Sequence, residues 1–301
     1  MDVKGPEIRT GYLHKEVEIK ENDQLDLVFI AQPNPPYNEG IWQIEVNYDK
    51  LPDHIKEGDI VLLDNGLIQL KVIDSSKEKI CCKVQGDAVL KSRRHVNLPG
   101  IETGLPSLTE KDRRDALVGI ECNHDYFALS FTRDADAVDL FRSFLRDNGS
   151  DAQIIAKLED QKGVANIEEI IQAADALMVA RGDLGIECAF EELPIIQRKA
   201  VGSSLSAGKP VIVATHMLES MIESPVPTRA EISDVANAVN EGADCIMLSG
   251  ETTTGKYPHE CIQLLTKIAS RMEDEIQGFQ TKTAAMEREC EQMKIRWDTR
   301  K

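Results

Sequence analysis

Two rhythms of apolar and polar positions alternate along the chain. From Thr10 to His95 the period is close to two. Val17-Glu18-Ile19-Lys20 alternates strictly, and Gln24-Leu25-Asp26-Leu27-Val28-Phe29 less strictly, with Leu25, Leu27 and Phe29 on one face. Successive side chains of a strand point to opposite faces, so this spacing predicts half-buried strands. Ile60–Leu63 and Leu67–Val72 flank Asp64-Asn65-Gly66 and predict a hairpin, because Asn-Gly supplies the positive φ angles of a tight turn. Lys79–Val84 predicts a further strand, and the stretch reads as a small all-β module.

After Asn97-Leu98-Pro99-Gly100 the rhythm changes to helix and strand in turn. Short apolar runs stand at Tyr126–Phe131, Ile154–Leu158, Ala176–Ala180, Pro210–Ala214 and Cys245–Leu248. Helical patterns lie between them, as at Asp134–Asp147, Glu191–Ala207 and Arg229–Glu241. Apolar runs separated by helices predict parallel strands covered on both faces. An open doubly wound sheet and a (β/α)8 barrel both satisfy that pattern. No GxGxxG follows a first strand, which weakens the dinucleotide-binding version and favours the barrel. About five strands are visible, where a closed barrel needs eight.

Composition narrows the partners more than the fold. Apolar residues make up 42% and charged residues 29% of 301 residues, a globular balance. A net charge of −17 argues against nucleic acid or an anionic membrane as partner. No apolar run reaches the ~20 residues of a membrane-spanning helix, and Met1–Pro6 lacks the apolar stretch of a secretory signal. The seven cysteines show no CxxC spacing. Neither a disulfide framework nor a zinc site is indicated, and a reducing cytoplasm is expected.

Catalytic groups of a parallel barrel stand at the C-terminal ends of its strands. There the chain carries Lys157 and Glu159, then Arg181-Gly182-Asp183-Leu184-Gly185, then Thr215-His216, then Ser249-Gly250-Glu251-Thr252. Lys157 and Glu159 are two apart and face the same way. Glu159 and Asp183, at consecutive strand ends, can share one hard divalent cation such as Mg²⁺. Lys157 beside it can neutralise charge on a phosphoryl or enolate oxygen, and the Gly182-Asp183 segment can offer backbone N–H groups to an anion. Each group also has an ordinary reading. A Lys and a Glu two apart are usually a solvated pair, Thr215 a capping or core hydroxyl, His216 a structural group, and Ser249-Gly250-Glu251 a strand-to-helix turn. The neighbouring strand end, which independently supplies Gly182-Asp183, favours the functional reading of Lys157 and Glu159.

Longer runs of residues go further. Asp2-Val3-Lys4-Gly5-Pro6-Glu7-Ile8-Arg9-Thr10-Gly11, Ile155-Ala156-Lys157-Leu158-Glu159 and Met178–Gly185 resemble segments of the pyruvate kinase family. So do Thr215–Met221, Pro227-Thr228-Arg229-Ala230-Glu231, Asp234–Val239 and Met247–Thr252, in the family's order, across roughly Asp2 to Pro258. The resemblance implies a (β/α)8 TIM-type barrel, incomplete here, with an inserted small β-barrel lid. It divides the chain into the end of a third barrel strand (1–10), the lid (11–96), the rest of the barrel (97–277) and a polar helical tail (278–301). The implied reaction is phosphoryl transfer from phosphoenolpyruvate to ADP, giving pyruvate and ATP in the last step of glycolysis.

By the same resemblance, Lys157 stabilises the migrating phosphoryl group and the enolate. Glu159 and Asp183 hold Mg²⁺ or Mn²⁺. Gly182, Asp183 and Thr215 grip the substrate carboxylate, with Thr215 near the carbon that is protonated. Arg9 and Arg94 meet the nucleotide, while the Asp2 side chain and the Val3 carbonyl contribute to a K⁺ site. Glu7 resembles the K⁺-dependent members. The family's first barrel strands, with an arginine and an Asn-Phe-Ser-His run, have no counterpart in this sequence, nor has its C-terminal regulatory domain. An opened barrel, closure by another chain, homo-oligomerisation or low stability is therefore expected. Two further readings stay open: a catalytically inactive relative that binds metal or substrate or pairs with a full-length subunit, and a metal-dependent lyase or mutase of the wider phosphoenolpyruvate class. The lid and Arg9 argue against the latter, which needs no nucleotide.

Overall fold

Alternating apolar runs become strands close to where the pattern places them. The computed structural model describes residues 1–29 and 41–277, and the chain divides into two units, Met1–Lys209 and Pro210–Lys301.

The first unit opens with strand β1 (Asp2–Val3) and then enters the β-module. Its strands are β2 (Val17–Ile19), β3 (Gln24–Val28), β4 (Ile41–Glu45), β5 (Ile60–Leu63), β6 (Ile68–Ser75), β7 (Lys79–Val84), β8 (Ala88–Leu90) and β9 (Val96–Asn97). One sheet has the order β4-β3-β7-β6-β5-β9, and β2 pairs with β8. The hairpin forms, with Leu63 opposite Ile68 and its second strand beginning one residue later than the pattern places it. Asn65 and Gly66 both have positive φ, 57° and 83°, and the Leu67 N–H donates to the Asp64 carbonyl at 3.2 Å, the signature of a type I′ turn. The inner faces meet in a core that includes Leu25, Leu27, Leu63, Leu70, Ile80 and Leu90. Asp26 departs from simple alternation. It lies on the other face of β3 and is fully buried, where the Lys79 ammonium (2.8 Å) and the Gln24 amide (2.8 Å) donate to its two oxygens. A buried carboxylate survives only when so partnered.

Beyond the module come helix α1 (Glu110–Glu121), strand β10 (Tyr126–Leu129), helix α2 (Ala135–Asp147), strand β11 (Gln153–Leu158), helices α3 (Gln161–Ala165) and α4 (Ile167–Ala173), strand β12 (Ala176–Ala180), and helices α5 (Arg181–Glu187) and α6 (Leu193–Ser206). Strands β1, β10, β11 and β12 pair in parallel, in that order. Asp134 caps α2 by accepting from the Ala137 N–H. That helix sends Val138, Phe141 and Leu145 into the core, and Phe141 meets Phe127 edge to face at 5.7 Å.

The second unit, taken by itself, holds the parallel strands β13 (Val211–Ala214) and β14 (Cys245–Met247) and the helices α7 (Arg229–Glu241) and α8 (Gly250–Thr253). Residues 258–277 are helical, and the expected tail at 278–301 lies outside the described residues. Helix α7 begins at a capping box, in which Thr228 and Glu231 satisfy one another's backbone N–H groups. Thr228→Ala removes a cap of about 1 kcal/mol, so amide exchange across α7 should speed up about fivefold. Unchanged exchange would mean that Glu231, bound also to Ser220, holds the helix start alone.

Candidate active site

Lys157 and Glu159 stand at the end of β11, and their alternation along the strand brings them together. The Lys157 ammonium lies 3.0 Å from Glu159 Oε1, 3.0 Å from Asp2 Oδ1 and 2.8 Å from the Ser130 hydroxyl. Three elements therefore converge on one cation: β11, the first strand β1, and the loop after β10. Glu159 is 2% exposed, and its other oxygen accepts the Phe131 N–H at 2.6 Å.

Burial dominates the electrostatics here. It pushes the Glu159 carboxyl up; attraction to Lys157 opposes the push and the charge of Asp183 adds to it, so that its pKa rises to about 7. Burial also disfavours the Lys157 ammonium, but Glu159 and Asp2 together outweigh it and raise its pKa. The lysine stays charged at neutral pH beside a carboxylate that is only marginally ionised.

The backbone is bent to build this site. Phe131 has φ +52°, a left-handed conformation that is an outlier for a bulky side chain, and it carries the N–H that reaches Glu159. Gly5 (φ +70°) runs past the same turn so closely that a Cβ there would lie 3.0 Å from the Ser130 carbonyl oxygen, which leaves glycine as the residue that fits. The Gly5 N–H is held by buried Asp112 Oδ1 at 3.1 Å, and the other oxygen of Asp112 takes the Thr109 N–H and hydroxyl.

Asp183 and Gly182 lie in the first turn of α5, directly after β12. Asp183 Oδ1 is 3.7 Å from His95 Nδ1, next to β9 at the exit of the β-module. Burial lowers the His95 pKa despite Asp183, so the imidazole is neutral at pH 7 and the contact is polar rather than ionic. Its ring also packs edge-on against Phe131, with centroids 5.9 Å apart. Arg9 is held by both oxygens of Glu7, at 2.7 and 3.2 Å, and donates to the Arg93 carbonyl. Burial pushes the Glu7 carboxyl up, but Arg9 and Lys4 overcome that and hold it below the ordinary glutamate value. Arg94 reaches Asp64 at 3.2 Å, within the β-module. The Val3 carbonyl accepts the Ser130 N–H at 3.1 Å.

In the second unit Thr215 follows β13 with φ +69°, and His216 has φ +54°. A β-branched residue in that region is strained, and its hydroxyl donates to the Ala214 carbonyl at 2.7 Å. The Ser249-Gly250-Glu251 run is a structural turn. Glu251 is fully buried and accepts the N–H groups of Leu218 (2.9 Å) and Ser249 (2.8 Å).

Ser130, Phe131 and His95 were not singled out in the sequence. Ser130 ends the apolar run Tyr126–Phe131, and the strand-end rule applied to that run would have found it. Nothing local marks Phe131, whose role lies in its backbone, or His95.

Among the described residues no group of three or more His, Cys, Asp or Glu side chains could hold a metal ion. The pair Glu159 and Asp183 nevertheless fits a hard divalent cation. One carboxylate is buried and forced toward protonation, in part by the charge of the other. A cation between them relieves both penalties, and Mg²⁺ takes most of its remaining ligands from water and substrate.

The pyruvate kinase barrel-domain family matches residues 1–262. A pyruvate kinase of Bacillus licheniformis is 45% identical over 280 residues, covering 91% of this chain and 47% of its own length. That of Dictyostelium discoideum is 42% identical, covering 95% and 57%, and plastidial pyruvate kinase 2 of Arabidopsis thaliana is 41% identical, covering 91% and 46%. The crystal structure of a pyruvate kinase from Cryptosporidium parvum superposes with a TM-score of 0.84 at 38% identity, covering 91% of this chain and 56% of that one. The chain thus spans about half the length of the curated relatives it matches. The expected α/β class, a partial (β/α) barrel with a second, all-β sheet inserted, agrees with these matches. On its sequence, its strand order and its relatives, this chain belongs to the barrel-domain family of the pyruvate kinases.

Proposed function

We propose that the chain carries out phosphoryl transfer, breaking the P–O bond of phosphoenolpyruvate, forming a new one to the terminal phosphate of ADP, and leaving an enolate that takes up a proton to become pyruvate. The observation that carries this reading is the half-buried Lys157 ammonium, held charged 3.0 Å from buried Glu159. A fixed cation in a site of low dielectric stabilises charge on the migrating phosphoryl and on the enolate oxygen without reorganising. Mg²⁺ or Mn²⁺ held by Glu159 and Asp183 would supply the further positive charge that the phosphate oxygens need. Family membership assigns Gly182 and Asp183 a part in holding the substrate carboxylate, and gives Thr215, in the second unit, a part in the same reaction. Arg9 and Arg94 meet the nucleotide phosphates, Arg9 from the frame that Glu7 provides. Asp2 and the Val3 carbonyl take part in binding K⁺. The module at 11–96 serves as the lid that keeps water from the transfer. Family membership supports these assignments, together with a cytoplasmic setting and assembly into oligomers. No helix among the described residues is long and apolar enough to cross a membrane.

One observation favours a second reading, a relative that binds metal and substrate without turnover. Arg9 is occupied by Glu7 on two nitrogens and Asp2 by Lys157, so both are engaged before any substrate arrives. The deciding assay is pyruvate release from phosphoenolpyruvate with Mg²⁺ and K⁺, with and without ADP. Release that needs ADP is expected. None with ADP, alongside intact Mn²⁺ binding, would leave the second reading standing.

A further inference from the structure

The helix at residues 258–277 of the second unit carries an apolar stripe that the described residues do not cover. Cys261 is buried, and no other residue of this helix is. Ile262 is 51% exposed, and Leu265, Ala269, Met272 and Ile276 are each partly exposed. These five positions are spaced by three and four residues in turn, which lines them up as one narrow seam along the helix. The spacing does not stop where the described residues end. Phe279, Thr283, Met286, Cys290, Met293 and Trp297 continue it in the sequence without a break. Of all these seam positions Thr283 alone is not apolar, and the residues between them are mostly polar or charged. A strict heptad sustained over five repeats is the pattern of a coiled coil. The pyruvate kinase family match ends at residue 262, where the stripe begins, so family membership does not account for it.

Residue type and charge select the partner. With Ile262 at position a of the heptad, the β-branched Ile276 and Thr283 also fall at a, while Leu265, Met272 and Met286 fall at d. Branched residues at a with unbranched ones at d favour two parallel strands. In such a pair each g residue faces the e residue of the next heptad on the other strand. Lys282 then meets the partner's Glu287, and Glu289 meets the partner's Lys294. The like-charged pair Arg296 and Lys301 falls beyond Trp297, the last seam residue. An antiparallel register that covers the stripe from Ile262 matches Glu275 with Lys282 but sets Ile268 against Glu289. A shifted antiparallel register matches more charges and leaves Ile262, Leu265 and Ala269 in water.

We propose that this stripe is an interaction surface for a second copy of the chain, the two joining in a parallel coiled coil from Ile262 to Trp297. The second copy is the partner whose e and g charges complement this chain's own in register. It also covers the apolar positions that the helix at 258–277 leaves exposed. The seam supplies the affinity, and the flanking charges set partner and orientation.

Sedimentation equilibrium of the full chain at micromolar concentration should give twice the monomer mass. Met293→Glu puts a charge into the seam and should weaken association about a hundredfold. Ile295→Glu, two residues further and on the outer face of the same helical pattern, should leave association unchanged. Parallel strands in register also place each a residue beside its counterpart. Diamide, which accepts the two thiol hydrogens, should therefore join the copies through Cys290, and Cys290→Ser should abolish that cross-link. The cross-link is read on the unsubstituted chain, so a readout remains if the Met293 variant does not fold. A monomer in sedimentation, association that survives Met293→Glu, equal loss in both glutamate variants, or a dimer without the Cys290 cross-link would each overturn the proposal. Because no turnover is read, failure here leaves the phosphoryl-transfer reading untouched, and failure of that reading leaves this one intact.

Discussion

Lys157→Met is expected to lower ADP-dependent pyruvate formation by about 10³-fold, the upper range for removal of one preorganised charge-stabilising donor. The lysine is the ammonium that β1, β11 and the loop after β10 all face, and no neighbouring group among these contacts can replace its charge. The substitution also strips Glu159 of its paired cation, and an unpaired buried carboxylate is costly. Glu159 has a way out, since its pKa is already about 7 and loss of Lys157 raises it further, so the acid takes a proton. Lys157→Met should therefore unfold near the wild-type temperature at pH 6 and below it at pH 8. Loss of activity together with a folded chain at pH 6 is the expected result. Retention of a tenth or more of wild-type turnover would remove Lys157 from the chemistry.

The second large effect is the dependence of stability on pH in the metal-free protein. Glu159 has a folded pKa of about 7 against an ordinary value of 4.5. The folded state thus binds this proton more tightly than the unfolded state does. Stability is highest below pH ~4.5 as far as this group is concerned, falls as pH rises toward 7, and is lower by about 3 kcal/mol above that. Other carboxyls titrate over the same range, so the comparison that isolates the effect is wild type against Glu159→Gln in EDTA. Urea unfolding should find the variant about 3 kcal/mol more stable relative to wild type at pH 8 than at pH 4.5. A difference that does not change with pH would mean that Lys157 fully neutralises the desolvation of Glu159. Saturating Mg²⁺ should narrow the gap at pH 8, because a cation bound to Glu159 stabilises the folded state.

Much of the fold was legible because its strands are short apolar runs with clear borders. Ala176–Ala180 and Lys79–Val84 form strands with those bounds, and Arg229–Glu241 is helical from end to end. Thr228 and Glu231 mark its start by a local rule that needs no tertiary structure. Asp26 was not legible in the same way. Alternation sends it toward solvent, and only the strand packing reveals that Lys79, 53 residues away, covers it.

The site divides along the same line. Lys157 with Glu159 and Gly182 with Asp183 could be read because each pair is a few residues of one strand end. What surrounds them comes from far along the chain: Asp2 is 155 residues from Lys157 and Phe131 is 28 from Glu159. The contribution of Phe131 is an amide turned by a left-handed φ, and side-chain identity carries no trace of that. His95 lies where the β-module hands over to the next segment, and sequence offered it as a boundary only.

That boundary has a consequence of its own. The Thr10 N–H donates to the Arg94 carbonyl at 2.8 Å and the Val96 N–H to the Ile8 carbonyl at 2.9 Å, so the chain enters and leaves the β-module through neighbouring backbone. To the strands on either side, the module is topologically a loop whose ends already touch. The entropy of closing such a loop grows only with the logarithm of its length. Residues between the two ends are thus free to lengthen, shorten or be exchanged over evolutionary time, with little penalty to the strands that present Lys157 and Asp183.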